Sequence, residues 1–274
     1  MTDAGVETGF ILDQSLKLER SGEDLYASQT DDRFWNMIGP FGGWMAALML
    51  KAALADNDPA FEPVAMTVDF LKAPPRGALV LRRRCDRAGR TTAFWRVDLE
   101  TPDGRLCARS LVTLGPHRST LAFSTRRMPE VKPAEEAGDG SRTFIPVEWA
   151  RLYDCRIIKG RMGESKQDAH SLEWIREADR RPLDYLSLAA ICDSPFPRLF
   201  IATGTASSIS TVTMTTYFHV SLSELAGVGD DYVLCDSGCE RSHGGFYDQH
   251  SRIFEKHGSL LATSHQMVWY DREL

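Results

Sequence analysis

The chemically capable residues of this chain are scattered, and the familiar short constellations are missing. Cys235 and Cys239 stand four apart, a spacing zinc sites use, but no second Cys/His pair at ligand spacing follows. Cys85, Cys107, Cys155 and Cys192 lie singly in apolar runs, the pattern of buried free thiols and not of a disulfide framework. His219, His243, His250 and His265 belong to no H-E-x-x-H, and neither G-x-S-x-G nor G-x-x-x-x-G-K-[ST] occurs. The expectation is no metal, no serine nucleophile and no phosphate loop. Arg82-Arg83-Arg84 reads as a solvated basic face. Gly42-Gly43 ends Gly39-Pro40-Phe41-Gly42-Gly43 and, lacking Cβ atoms, admits either a ligand or a tightly packed neighbour.

The chain has 274 residues, of which 43% are hydrophobic and 26% charged, which suits an ordinary globular protein of about two domains. A formal net charge of −6 argues against general binding of nucleic acid or anionic membrane. The most apolar run, 44–50, is cut by Lys51, well short of the ~20 residues a membrane span needs. Met1-Thr2-Asp3-Ala4-Gly5 lacks the basic-then-apolar pattern of a signal peptide, so a cytoplasmic location is expected.

Residues 119–141 contain Pro129, Pro133 and Gly138-Asp139-Gly140 and few periodic apolar positions, so they read as a linker. The expected division is 1–118, linker 119–141, and 142–274. In the first part, short strands at 16–19 and 24–28 precede a buried helix at 44–54, rich in Ala, Leu and Met. Strands follow at 64–71, 78–85, 91–100 and 106–114, with a hairpin turn at Pro102-Asp103-Gly104. The second part repeats the order: strands at 144–150 and 152–159, a helix at 183–192, then strands at 210–220, 232–240, 245–254 and 260–270. A helix followed by antiparallel strands, twice, predicts an α+β fold with each helix packed on a sheet.

The repeat reaches single residues. Residues 104–112 align without a gap on 258–266, sharing Gly, Leu, Ala and Ser; Phe70 matches Phe218, and Val80-Leu81 is set beside Val233-Leu234.

At this point the chain resembles the acyl-CoA thioesterase II family, whose fold is the double hotdog. The resemblance covers most of the chain outside the linker. In the first half it rests on Gly39-Pro40-Phe41-Gly42-Gly43 and Val68-Asp69-Phe70-Leu71-Lys72-Ala73-Pro74. In the second half it rests on Cys192-Asp193, on Thr211 and Tyr217-Phe218-His219, and on Leu261-Ala262-Thr263-Ser264-His265-Gln266. The family pattern usually has an Asp-His pair shortly after the Thr; here Thr213-Met214 stands instead. The resemblance implies a catalytic Asp193, Thr211 and Gln266 holding a water. Asp193 would act as general base while Thr211 and Gln266 orient the water. Backbone N–H groups at a helix start could meet the oxyanion, and Gly42 and Gly43 are the expected substrate-binding positions. Arg82-Arg83-Arg84 could meet the coenzyme A phosphates.

Aligning the halves places Gln266 opposite Val112, Thr211 opposite Pro63 and Asp193 opposite Leu50, so one active site per chain is expected. The implied activity is hydrolysis of acyl-CoA, as in fatty acid metabolism, to a carboxylic acid and coenzyme A, with no cofactor beyond the substrate's own coenzyme. A non-catalytic acyl-ligand binding protein on the same fold is the alternative. An enoyl-CoA hydratase is a further one, disfavoured because no Asp-x-x-x-x-His occurs. A homodimer of double units is left open.

Overall fold

The computed structural model describes residues 9–139, 147–164 and 168–271. A short helix α1 (Ile11–Ser15) opens the described chain. Strands β1 (Glu19–Gly22) and β2 (Leu25–Gln29) come next, then helix α2 (Gly42–Leu54). Strands β3 (Glu62–Phe70), β4 (Ala78–Ala88), β5 (Ala93–Glu100) and β6 (Leu106–Gly115) complete the first half. In the second half the short β7 (Gly138–Asp139), β8 (Tyr153–Lys159) and β9 (Ser171–Glu177) lead to helices α3 (Tyr185–Ile191) and α4 (Arg198–Thr203). Strand β10 (Ser208–Phe218), helix α5 (Leu222–Val228) and strands β11 (Val233–Gly238), β12 (Ser242–His243), β13 (Phe246–Glu255) and β14 (Leu260–Asp271) follow.

All strands join one antiparallel sheet in the order β1-β2-β4-β5-β6-β3-β10-β14-β13-β11-β9-β8-β7, with β12 beside β13. The order reads alike outward from the β3·β10 seam. Register makes the symmetry quantitative. Phe70 faces Ala108 and Met66 faces Val112 in the first half; Phe218 faces Ala262 and Met214 faces Gln266 in the second. These are the pairs the aligned halves require. At the seam Thr67 faces Thr215, and their hydroxyls lie 2.9 Å apart, so equivalent residues meet on the pseudo-twofold axis. One alignment needs correcting by a residue. Leu81 faces Leu99 and Cys235 faces Ile253, so Val80-Leu81 corresponds to Leu234-Cys235. A slip of one would turn every side chain to the other face of the sheet.

The two helices pack on each other inside this sheet. Helix α2 is buried nearly all round, from Gly43 to Leu50 and at Ala52 and Ala53, because sheet covers one side and α3 another. Its one charged residue, Lys51, is held below its ordinary pKa by burial. Helix α3 is shorter than the expected 183–192 and has only seven residues. Asp184 caps it by accepting from the N–H groups of Leu186 and Ser187, each at 2.9 Å, and Pro195 blocks its extension.

Other expectations also change. The strand expected at 16–19 starts only at its last residue, Glu19, where β1 begins: Leu12 and Leu16 are both buried, one helical turn apart, and this spacing favours α1 before it. Of the strand expected at 144–150, residues 144–146 lie outside the described residues, as do 1–8 at the N-terminus. Glu148–Leu152 forms a 3-10 helix that buries Trp149 and Ala150. Strand β9 and helices α4 and α5 were not anticipated, although Ser221-x-x-Glu224 is a capping-box signature and the box is formed. Within the expected linker 119–141, residues 119–133 carry no helix or strand, whereas Ala134–Glu136 form a 3-10 helix and Gly138–Asp139 form β7. The linker's later part packs on the second half, where the Trp174 indole donates to the Lys132 carbonyl at 2.8 Å.

Candidate active site

Asp193 follows directly on the end of α3, where the backbone leaves the helix toward Pro195. Gln266 lies in β14 with its side chain on the helix-facing side of the sheet, alongside Ser264, whose hydroxyl donates to the Cys192 carbonyl at 3.2 Å. Thr211 reaches that same face only through a β-bulge. Thr211 pairs with Val268 and Thr213 with Met267, so Val212 is the extra residue. Thr211 and Met214 are an odd number of residues apart, yet both face inward; without the bulge, strand alternation would point the Thr211 hydroxyl to the opposite side. The first half has a bulge at the equivalent place, between Pro63 and Ala65. The backbone device is common to both halves, and the hydroxyl is present in one.

The three side chains form a connected chain. The Thr211 hydroxyl donates to the Gln266 carbonyl oxygen at 3.3 Å, and the Gln266 amide donates to the Asp193 carboxylate at 3.0 Å. This orients the Gln266 amide, since only its nitrogen can serve a carboxylate. The carboxylate also accepts from the backbone N–H of Gly43. It therefore sits at the N-terminus of α2, where the helix dipole favours negative charge. Burial nevertheless dominates and pushes the Asp193 pKa up to about 7; the Gln266 and Gly43 hydrogen bonds oppose it. A carboxyl poised near neutrality is suited to taking a proton from water.

The glycine pair explains how a second-half carboxylate reaches a first-half helix. A Cβ on Gly42 would lie 2.6 Å from Asp193 Oδ2, and one on Gly43 would lie 2.5 Å from both the Ala190 carbonyl and the Phe41 ring. Gly42 is half-exposed, at the edge of the site. Gly43 is buried in the α2–α3 contact and holds Asp193 through its N–H. Gly43→Ala is expected to lower the urea midpoint, with a loss of about 1–3 kcal/mol from overpacking against backbone that cannot yield. A midpoint equal to that of the unmodified protein would contradict this close packing.

Asp193, Thr211 and Gln266 all open onto one cavity of about 340 Å³. Its walls are largely apolar and aromatic: Phe41, Trp149, Phe196, Phe200, Ile209 and Val268. Phe41 and Trp149 stack with ring centroids 4.0 Å apart, so the wall draws on both halves. Further polar residues line it, among them Tyr247 and Gln249 in β13. Sequence reasoning did not single them out. The signal was available in the repeat: Ala93 faces Leu114 and Trp95 faces Val112, where Tyr247 faces Val268 and Gln249 faces Gln266. The inner face of the first half is apolar at the places where that of the second half is polar.

The remaining candidates lie elsewhere. His250 and His265 pair across β13 and β14 beside Asp248, on the other face of the sheet from Gln249 and Gln266. Among the described residues no three His, Cys, Asp or Glu side chains converge as metal ligands. Cys235 is buried in the core, and Cys239 is 3.6 Å from Asp248. Arg83 is buried beside Asp24 and over the Trp95 ring, while Arg82 and Arg84 pair with Glu100 and Asp86. No helix among the described residues is long and apolar enough to cross a membrane.

Comparison with known proteins gives a consistent picture. The family pattern of the acyl-CoA thioesterase N-terminal domain matches residues 32–115, and that of the acyl-CoA thioesterase C-terminal domain matches residues 127–270. A conserved protein of unknown function with a hot dog fold from Alicyclobacillus acidocaldarius is 28% identical, with a TM-score of 0.93 over 97% of this chain and 100% of that one. A candidate thioesterase from Novosphingobium aromaticivorans is 25% identical, with a TM-score of 0.80 over 93% of this chain and 98% of the other. An acyl-CoA thioesterase II from Mycobacterium marinum, 19% identical, shares the fold with a TM-score of 0.75 over 96% and 98% of the two chains. No curated protein sequence gives a significant match.

Proposed function

Since the chain belongs to the acyl-CoA thioesterase II family, we propose that it hydrolyses acyl-CoA thioesters at the cavity holding Asp193, Thr211 and Gln266. The observation that carries this reading is the hydrogen-bonded run from Thr211 through Gln266 to Asp193, ending on the α2 N-terminus. A water in the cavity donates one hydrogen bond to the Asp193 carboxylate and another to the Thr211 oxygen, whose own proton is committed to Gln266. Its lone pair is then free to attack the thioester carbon, and Asp193 takes the proton as the C–O bond forms. The tetrahedral oxyanion collapses with loss of coenzyme A thiolate, which takes up a proton. No covalent enzyme intermediate is required, because a thiolate leaves readily. The half-exposed start of α2 at Gly42 supplies positive potential for the oxyanion. Acyl-CoA is the substrate, no separate cofactor takes part, and the reaction centre belongs to the second half, residues 142–274, with the first half supplying the α2 N-terminus.

The direct test is release of free thiol from a panel of acyl-CoAs of varied tails. Turnover of at least one member is expected; tight binding of several with no thiol released from any would replace hydrolysis by acyl-ligand binding. Thr211→Val keeps the shape and removes the hydroxyl. It is expected to lower kcat by roughly ten- to a hundredfold, the scale associated with a misplaced nucleophile, with an unchanged melting curve. Wild-type kcat in Thr211→Val would remove this residue from the water site.

A further inference from the structure

Tyr247 is 2% exposed, yet no hydrogen-bond partner for its hydroxyl is found among the described residues. Tyrosine hydroxyls in protein interiors are normally paired; this one is not sealed among its neighbours but keeps accessible surface, and the space Tyr247 borders is the cavity. Tyr247 lines the cavity, sharing a face with Gln249 two residues on and standing opposite Val268. The equivalent place in the first half holds Ala93 opposite Leu114. A phenol is thus present in the half that carries the cavity's acid, hydroxyl and amide, at a position where an alanine satisfies the same strand geometry.

Its neighbours locate it along the cavity. Tyr247 packs with Leu199, Phe200 and Val268, beside Phe196 and Ile209. This apolar wall comes from α4 and the sheet. Tyr247 faces Val268, which also faces Thr211, and Gln249 opposite Gln266 is two residues on. The phenol thus stands one pleat repeat, about 7 Å along the strand, from the level of Gln266 and within the field of the Asp193 carboxylate. That spacing reaches a group several bonds from the thioester carbon. A volume of about 340 Å³ lies near the lower limit of the ~300–1,000 Å³ usual for ligand pockets, and an aromatic wall suits a compact group better than a long straight chain.

We infer that the cavity takes a compact acyl group bearing a polar oxygen several bonds from the thioester carbon, and that the Tyr247 hydroxyl binds that oxygen. This rests on the hydrolytic reading of the same site. A pocket that must hydrogen-bond its substrate discriminates strongly against the analogue lacking the group, because its own polar atom is then left unpaired.

The experiment compares kcat/KM for matched acyl-CoA pairs of equal length, butyryl with 4-hydroxybutyryl and phenylacetyl with 4-hydroxyphenylacetyl, in the unmodified protein and in Tyr247→Phe. The oxygen-bearing member is expected to be favoured by at least tenfold in one pair, and Tyr247→Phe to bring that ratio near one. Equal rates within both pairs of the unmodified protein, or a ratio that survives Tyr247→Phe, overturns the inference. Calorimetric binding of the same pairs to Asp193→Asn separates the two claims. Binding preference lost in the Tyr247→Phe double variant, with no turnover of any pair by the unmodified protein, sinks hydrolysis and keeps the Tyr247 contact; turnover without preference sinks the contact and keeps hydrolysis.

Discussion

Asn in place of Asp193 is expected to lower kcat for thioester hydrolysis by about 10²–10⁴-fold, the usual contribution of a general base, while raising the melting temperature above neutral pH. The two effects share one cause. The Asp193 carboxyl has a folded-state pKa of about 7, against 3.8 for the unperturbed group, because burial disfavours its charge. The folded protein therefore holds this proton more tightly than the unfolded chain. The resulting stability is fully present below about pH 4 and is lost as pH rises through about 7. Above that, keeping the charge buried costs on the order of 4 kcal/mol. Asparagine keeps the shape and one acceptor oxygen but carries no charge. Thermal melts at pH 8 should show Asp193→Asn more stable by several degrees, and the gain should vanish near pH 4. For the unmodified protein, kcat should climb with pH and level off above about 7 as Asp193 loses its proton. Full turnover in Asp193→Asn, or a melting gain that persists at pH 4, would detach the carboxyl from both roles.

Arg181→Ala is expected to be the most damaging single change to stability, at about 3–5 kcal/mol, the cost of stranding buried charges. The Arg181 guanidinium is nearly buried and donates to Asp13 at 2.7 and 2.9 Å, to Asp184 at 2.7 and 2.9 Å and to the Ser187 hydroxyl at 2.8 Å. Lying 168 residues from Asp13, it thereby ties α1 to the N-cap of α3. Glu177 adjoins the cluster through Ser187, and burial pushes its pKa up to about 7, so much of it is uncharged at neutrality. The two partly exposed aspartates then lose their bidentate partner and keep Lys51 as a more distant positive charge. Urea denaturation gives the magnitude. A loss below 1 kcal/mol would place Arg181 with the exposed ion pairs, which contribute little. Because Asp184 sets where α3 begins and Asp193 follows its end, the variant should also lose activity before it unfolds.

Much of this architecture is legible in the residues. Apolar periodicity located α2 and most of the strands, because burial on one face of a sheet or all round a helix leaves a local pattern. The ungapped match of 104–112 to 258–266 holds in the register, where Val112 faces Met66 and Gln266 faces Met214, because register follows the face each side chain must occupy. Where the local pattern was weak, the reading failed. Leu12 and Leu16 mark one helical turn, too short a signal to separate from a strand, and Val80 was set against Val233 because register on β11 is decided by its partner strands.

The sequence by itself determined the repeated helix-and-sheet order, and a family resemblance singled out Asp193, Thr211 and Gln266 as the candidate site residues. Their convergence was decided only in three dimensions. The Val212 bulge turns Thr211 inward, the Gly42-Gly43 edge lets a carboxylate of one half rest on a helix of the other, and Tyr247 and Gln249 join them from a neighbouring strand. Side-chain direction in a strand is fixed by pairing with residues tens of positions away, and the pKa of a carboxyl by what surrounds it; neither is a local property of the chain.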